Sequence, residues 1–349
     1  MGIRALLPAR SSRALLAAGN AGPSQAPRPG RRAVLAAGAA AAALALAACG
    51  GSDAFEAGAS SSSPGAAGSS SAAGGPLTVG GANFTEMLVM QQMYGQLLTK
   101  AGYTVDYKPV DNREIYYKSL QGGEIDVVPE YAATLTEFLN VQKNGKSAAQ
   151  LATNDITTTI EKLKPLAEAG GVSVLQPAQA ADQNGFAVTK KFAEANKVTT
   201  LSQLAALGKP VRLAATVECP DRPFCGPGLE KTYGLKIAKL DPLGFGSPQA
   251  KQAVVSGKDD LVLVGTTDGT LDQLGLVLLE DDKGLQLADN LVPVVNTKSA
   301  GAPAIAQALD KLSGVLTTQD LAQLNLQVDA ERKKPADVAK EYLTSKGLL

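Results

Sequence analysis

Histidine is absent from the 349 residues of this chain, and its three cysteines are Cys49, Cys219 and Cys225. Nucleophile systems that depend on an imidazole base are therefore excluded, and zinc sites built from histidine and cysteine lack their ligands. Carboxylates such as Glu86, Glu130 and Asp268 could act as acids or bases. No spacing commits a pair of them to one site, however, and there is no glycine-rich phosphate loop. The residue types thus imply no catalytic group, no metal and no cofactor, which leaves the chemistry of binding. Arg222 is one of four arginines after residue 48, and it lies between Cys219 and Cys225 and between Pro220 and Pro223. A guanidinium held on so stiff a loop is suited to gripping an anion through two parallel hydrogen bonds, or to an ion pair across the loop.

The elements that position such residues begin only after a leader. Residues 1–48 hold six arginines, no lysine and no acidic residue, and Arg31-Arg32 precede an apolar run that is shorter than a membrane span. This is a signal peptide, and the paired arginines suggest twin-arginine export. Leu46, Ala47, Ala48 and Cys49 resemble a bacterial lipobox, in which Cys49 carries the lipid; the alternative is an ordinary signal peptide whose cleavage site happens to precede a cysteine. Residues 49–75 are mostly glycine, serine and alanine with little to bury, and beyond Cys49 are expected to form a flexible tether. Removing the leader leaves 27 basic against 33 acidic residues, a balance that argues against nucleic acid as a partner. In an exported protein, Cys219 and Cys225, which enclose a short loop, are expected to form a disulfide.

From Leu77 onward short apolar strands alternate with helical segments, an α/β pattern. Strands are expected at LTVG, TVDYKPV and IDVVPEY, then near 172–175, 185–189, 211–215, 236–240, 261–264, 276–279 and 292–296. Asn83 followed by Glu86 predicts a capped helix to Lys100 with Leu88, Met90, Tyr94, Leu97 and Leu98 on its apolar face, and Thr200 with Gln203 predicts another capping box. Three final helices are expected to start at Ala302, Thr318 and Pro335. Asn83, Phe84 and Thr85 would open the first helix, whose free N–H groups favour an anion or carbonyl group if they do not simply cap it.

Four stretches, GGANFTEM, GGEIDVVPEYAAT, ECPDRPFCGPGLEKTYG and VGTTDG, together resemble the substrate-binding proteins of ABC importers for quaternary amines, the osmoprotectant class that takes glycine betaine, choline and carnitine. The resemblance covers nearly all of 77–349. It implies a type II periplasmic-binding-protein-like α/β fold in which two lobes close by hinge motion over an interlobe ligand cleft. Lobe one would comprise 76–183 plus 288–349, and lobe two 184–287. It further implies that Asn83, Phe84, Thr85, Tyr131, Thr134, Asn184, Phe186, Arg222, Thr266, Thr267 and Asp268 bind the solute. Tyr131 would offer its face to a trimethylammonium group, if it is not a core residue, and Arg222 would take a ligand carboxylate. The expected protein is a monomeric, lipid-anchored receptor outside the bacterial cell membrane that delivers a small solute to ABC permease and ATPase subunits.

The sequence departs from that pattern where the family places further cage tyrosines. Asn184, Lys251 and Gly265 stand at or near those positions, with Phe186 close by. A lysine repels a cation and a glycine offers no ring, so a polyol, aromatic or anionic solute is the alternative ligand class, and a sensor subunit the alternative role.

Overall fold

A computed structural model describes residues 74–349. The expected leader, Cys49 and the tether as far as residue 73 lie outside the described residues. The elements are β1 (Pro76–Ala82), α1 (Thr85–Lys100), β2 (Thr104–Val110), α2 (Arg113–Gly122), β3 (Val127–Tyr131), α3 (Ala132–Asn144), α4 (Ile156–Glu168) and β4 (Val172–Val174). There follow β5 (Asn184–Thr189), α5 (Lys190–Asn196), α6 (Leu201–Ala206), β6 (Val211–Ala215), α7 (Gly226–Gly228), β7 (Ile237–Pro242), α8 (Pro248–Val255), β8 (Leu261–Gly265) and β9 (Leu276–Leu279). The chain closes with β10 (Leu291–Asn296), α9 (Thr297–Ala300), α10 (Pro303–Ser313), α11 (Thr318–Asp329) and α12 (Pro335–Ser345).

Two five-stranded sheets result, in the orders β2-β1-β3-β10-β4 and β7-β6-β8-β5-β9. Strands β1, β2 and β3 are parallel, whereas β10 runs antiparallel to β3 and β4. In the second sheet β6, β7 and β8 are parallel, with β5 antiparallel to β8 and β9. A strand that has crossed back from the other sheet thus sits inside the first, which is the type II arrangement expected. The central strands VVPEY, LVLVG and LVPVVN are buried along their whole length. Near-continuous apolar runs are what a strand covered on both faces requires. The edge strand β2, TVDYKPV, is largely exposed and correspondingly polar.

Each sheet has its own apolar core. In the first, Met87, Met90, Met93, Tyr94 and Leu98 of α1 pack with Val79, Val127, Val128, Val292 and Val294. Helix α1 is buried along much of its surface because it lies between the sheet and helices α10, α11 and α12. Leu88, expected on its buried face, is only half-buried. Phe186, Leu213, Leu261, Leu229 and Phe224 belong to the second core. The two crossing segments, 175–183 and 280–290, meet side by side: Ala181 and Asn290 form an antiparallel bridge, and the Asp182 N–H donates to the Asp289 carbonyl at 3.2 Å. That pairing places two aspartates at the junction of the lobes.

Local signals explain most boundaries. Asn112 caps α2 by accepting from the Ile115 N–H, and Gly123 ends it in the left-handed region at φ 77°. The Thr200–Gln203 capping box forms as expected. At α1 the expectation fails: Phe84 is the N-cap residue and no side chain caps the helix. Asn83 instead donates to Asp111 at 3.1 Å, and Glu86 turns inward.

Candidate functional site

Loops at the carboxyl ends of the parallel strands of both sheets, together with the crossing segments, enclose a cleft of about 610 Å³. This is where open α/β sheets place their sites. After β1 come Asn83 and Phe84, at the start of α2 Asp111 to Glu114, and at the β3–α3 junction Tyr131 and Thr134; the facing wall carries Thr216 to Glu218 and Asp221 to Cys225 after β6, then Phe245 after β7. Asp182, Gln183, Asn184 and Asp289 supply the floor between them.

Of the residues expected from the sequence, Asn83, Phe84, Tyr131, Thr134, Asn184 and Arg222 line this cleft, while Thr85, Phe186, Thr266, Thr267 and Asp268 do not. Thr85 turns away and donates to Asp329 at 2.6 Å. Phe186 is 1% exposed inside the second lobe's core, because its place in β5 points it inward. Thr266 and Thr267 act on the cleft indirectly, through Asp182, whose Oδ1 accepts from the Thr266 hydroxyl at 3.0 Å and the Thr267 N–H at 2.9 Å, and Thr267 also through Glu86. Asp268 holds Lys251. The Lys251 Nζ donates to Asp268 Oδ2 at 2.8 Å and to the Thr270 hydroxyl at 2.7 Å, and the lysine is only 3% exposed. Its charge is spent in that buried pair rather than presented to a ligand, which removes the repulsion inferred from the sequence.

Gly265 has an equally local reason. A Cβ there would lie 2.5 Å from Asp182 Oδ2, so the carboxylate occupies the space an aromatic side chain would need.

The rings that the sequence left uncertain come from elsewhere. Phe84 and Tyr131 lie nearly parallel with centroids 6.5 Å apart, and Phe84 meets Phe245 of the opposite lobe at 4.9 Å and 50°. Phe224, Phe138 and Tyr116 also line the cleft. Nothing in the residues around Phe245 marks it in advance, because it sits in a glycine-flanked loop with no periodic neighbours.

Polar side chains fix these rings. The Tyr131 hydroxyl donates to Glu86 Oε1 at 2.6 Å, and Glu86 Oε2 accepts from Thr267 at 2.7 Å and Asn325 at 2.8 Å. Burial pushes the Glu86 carboxyl up from its ordinary value, opposed by those three hydrogen bonds. Below Tyr131, Arg113 binds Glu130 through Nε at 2.9 Å and Nη2 at 2.8 Å, and Nη2 also donates to the Thr134 hydroxyl at 2.9 Å. Tyr116 adds a third donor to Glu130, at 2.8 Å. Sequence reasoning missed Arg113 because its partner is seventeen positions away, on another element.

Arg222 lies on the stiff loop, stapled by the Cys219–Cys225 disulfide. Its guanidinium is already engaged: Nη2 donates to Glu114 of the opposite lobe at 2.9 Å and approaches Glu218 at 3.0 Å. Replacing both cysteines with serine is expected to cost about 2 kcal/mol, the loop-closure value for so short a ring. Urea unfolding of Cys219→Ser/Cys225→Ser measures this, and an unchanged midpoint would contradict a structural role for the staple.

Asp289 is raised from the ordinary 3.8 to about 7, mainly by burial, against hydrogen bonds from α3 backbone N–H groups and the nearby charge of Arg113. Asp182 is pushed well up by burial and by Glu86. A carboxyl with a raised folded-state pKa holds its proton longer when folded, so its contribution to stability is present below about pH 4 and lost as pH rises to about 7. Asp289→Asn is therefore expected to raise the unfolding midpoint relative to the parent at pH 8 but to leave it little changed at about pH 4. The difference would amount to a few kcal/mol, and a pH-independent difference in thermal scans would refute the assignment.

Comparison with known proteins agrees with this geometry. The family model for the substrate binding domain of ABC-type glycine betaine transport systems matches residues 75–345. The glycine betaine-binding protein YehZ of Escherichia coli strain K12 is 29% identical over 284 residues, 78% of this chain and 91% of its own. A glycine-betaine-binding protein of Pseudomonas aeruginosa is 27% identical over 284 residues, 78% of this chain and 88% of its own. Apo YehZ superposes with a TM-score of 0.54 at 28% identity, over 78% of this chain and 99% of that one. The crystal structure of a glycine betaine/carnitine/choline ABC transporter shares the fold, with a TM-score of 0.58 at 21% identity over 78% of this chain and 98% of that one. The chain belongs to this family, as a substrate-binding protein of a glycine betaine-type ABC transporter that binds a solute and is not an enzyme.

Proposed function

We propose that this protein captures a quaternary amine such as glycine betaine or choline between its lobes and hands it to the permease and ATPase of an ABC importer. Cys49 carries the lipid that holds it at the extracytoplasmic face of the bacterial membrane. The observation that carries the reading is the group of rings Phe84, Tyr131 and Phe245, drawn from both lobes and facing a cleft floored by buried carboxyls. Aromatic faces attract an onium group that has lost its water, by ~1–2 kcal/mol per well-placed ring. Asn83, Thr134 and Asn184 supply polar contacts to the rest of the solute.

In this reading 76–183 plus 288–349 closes on 184–287 about the paired segments at Asp182 and Asp289, and the solute's contacts to both lobes select the closed form. Two ion pairs already bridge the lobes at the rim, Arg222 with Glu114 and Lys146 with Asp221.

Thermal unfolding against a panel of betaine, choline, carnitine, polyols and sugars tests the ligand class. A ligand at a hundred times its dissociation constant adds about 2.7 kcal/mol and moves the midpoint by several degrees. A shift from onium compounds is expected; a shift from polyols or sugars alone would overturn the class. Mass spectrometry of the membrane-bound form, compared with Cys49→Ala, tests the anchor.

A further inference from the structure

Lysine and arginine side chains in the cleft are all committed to carboxylates. Arg113 is held by Glu130, Lys146 by Asp221, and Arg222 by Glu114 and Glu218. Two carboxyls on the floor are not so committed. Among the described residues no lysine or arginine forms an ion pair with Asp182 or Asp289, although both line the cleft and are 5% and 3% exposed. Asp182 Oδ2 takes no hydrogen bond from any described residue and occupies the space beside Gly265 that a larger side chain would fill.

From this, and resting on the proposed capture of a quaternary amine, we propose that Glu114 is an internal carboxylate that fills the grip of Arg222, so that the cleft selects organic cations lacking a carboxylate over zwitterions.

A zwitterion such as glycine betaine brings its own carboxylate, which needs a donor fork. Arg222 on its stiffened loop is suited to that role, but its Nε and Nη2 already face Glu114, at 3.4 and 2.9 Å. A zwitterion's carboxylate must therefore displace Glu114 or lie unpaired among the carboxylates Asp111, Glu114 and Glu218, all of which line the same cleft. Like charges brought together without a counter-charge oppose binding, and specificity built this way is a repulsive element as much as an attractive one. A cation such as choline meets no such conflict. Its ammonium faces the rings, its positive charge favours ionisation of the floor aspartates that burial otherwise holds toward the neutral form, and its hydroxyl needs only a neutral or anionic acceptor. Burial alone would raise the Glu114 carboxyl, but the charge and hydrogen bonds of Arg222 outweigh that and hold it below its ordinary 4.5, so Glu114 is an anion at neutral pH.

Isothermal titration of the purified protein with choline and with glycine betaine tests the proposal, using the parent, Glu114→Gln and the double variant Glu114→Gln/Arg222→Met. The parent is expected to bind choline about tenfold more tightly than betaine. Glu114→Gln is expected to improve betaine affinity roughly fivefold, because it frees the guanidinium, and to weaken choline slightly. In the double variant the gain for betaine is expected to vanish, which a general loosening of the loop would not produce. Glu114 is half-buried in the first turn of α2, and the thermal midpoint of each variant reports directly on its folding. If betaine binds the parent as tightly as choline does, or if Glu114→Gln leaves the ratio unchanged, this inference is overturned while onium capture stands. If neither compound binds, both fall.

Discussion

Arg113→Met is expected to destabilise the folded protein by about 3–5 kcal/mol, the largest single-residue effect we anticipate. Glu130 is fully buried, and its two oxygens are matched to the Arg113 fork, the Tyr116 hydroxyl and its neighbouring backbone N–H. Removing the guanidinium leaves a carboxylate with neither water nor a counter-charge. Arg113 also donates to Thr134, so the first turn of α3 loses a fixed point beneath the cleft. Adding Glu130→Gln to the variant should recover part of the loss, since the group left behind is then neutral. Urea unfolding of the two variants measures this. A single-variant loss under 1 kcal/mol would mean that the pair is dispensable.

Tyr131→Leu carries the largest expected effect on affinity, a loss of about thirtyfold for an onium ligand, corresponding to ~2 kcal/mol. Leucine retains most of the packing but has no π face, and the tyrosine is nearly buried between the first core and Phe84. Tyr131→Phe separates the two roles of the side chain. It keeps the ring and so should retain most of the affinity, while removing the donor to Glu86 should lower stability. Titration of both variants decides the matter. If Tyr131→Phe proved as damaging to affinity as Tyr131→Leu, the hydroxyl and not the ring would be what matters.

Much of the fold was legible in the residues. β6 and β9 occupy the expected 211–215 and 276–279, and α11 and α12 begin at the expected Thr318 and Pro335, with α10 one residue late. These elements are local: a short apolar run bounded by turns, or a threonine or proline at a first turn, sets them without reference to distant chain. Asn83 misled because the sequence offers a cap but not Asp111, which claims its side chain. Glu86, read as the reciprocal acid of that cap, is instead needed by Tyr131, Thr267 and Asn325, three partners that the chain brings together only by folding.

The cleft was legible in part for the same reason. Tyr131, Thr134 and Arg222 sit in motifs, whereas Phe245, Asp182 and Asp289 acquire meaning only when the crossing segments pair and the lobes face each other. Lys251 shows the converse. Its charge looked incompatible with a cation until the fold supplied Asp268 and Thr270.

A crystal structure of the protein grown with choline tests the central claim most directly. The account predicts the trimethylammonium group against Phe84, Tyr131 and Phe245, its charge toward Asp182 and Asp289, with Arg222 still bound to Glu114. Choline seated away from those rings, or a ligand group in the grip of Arg222 with Glu114 displaced, would contradict it.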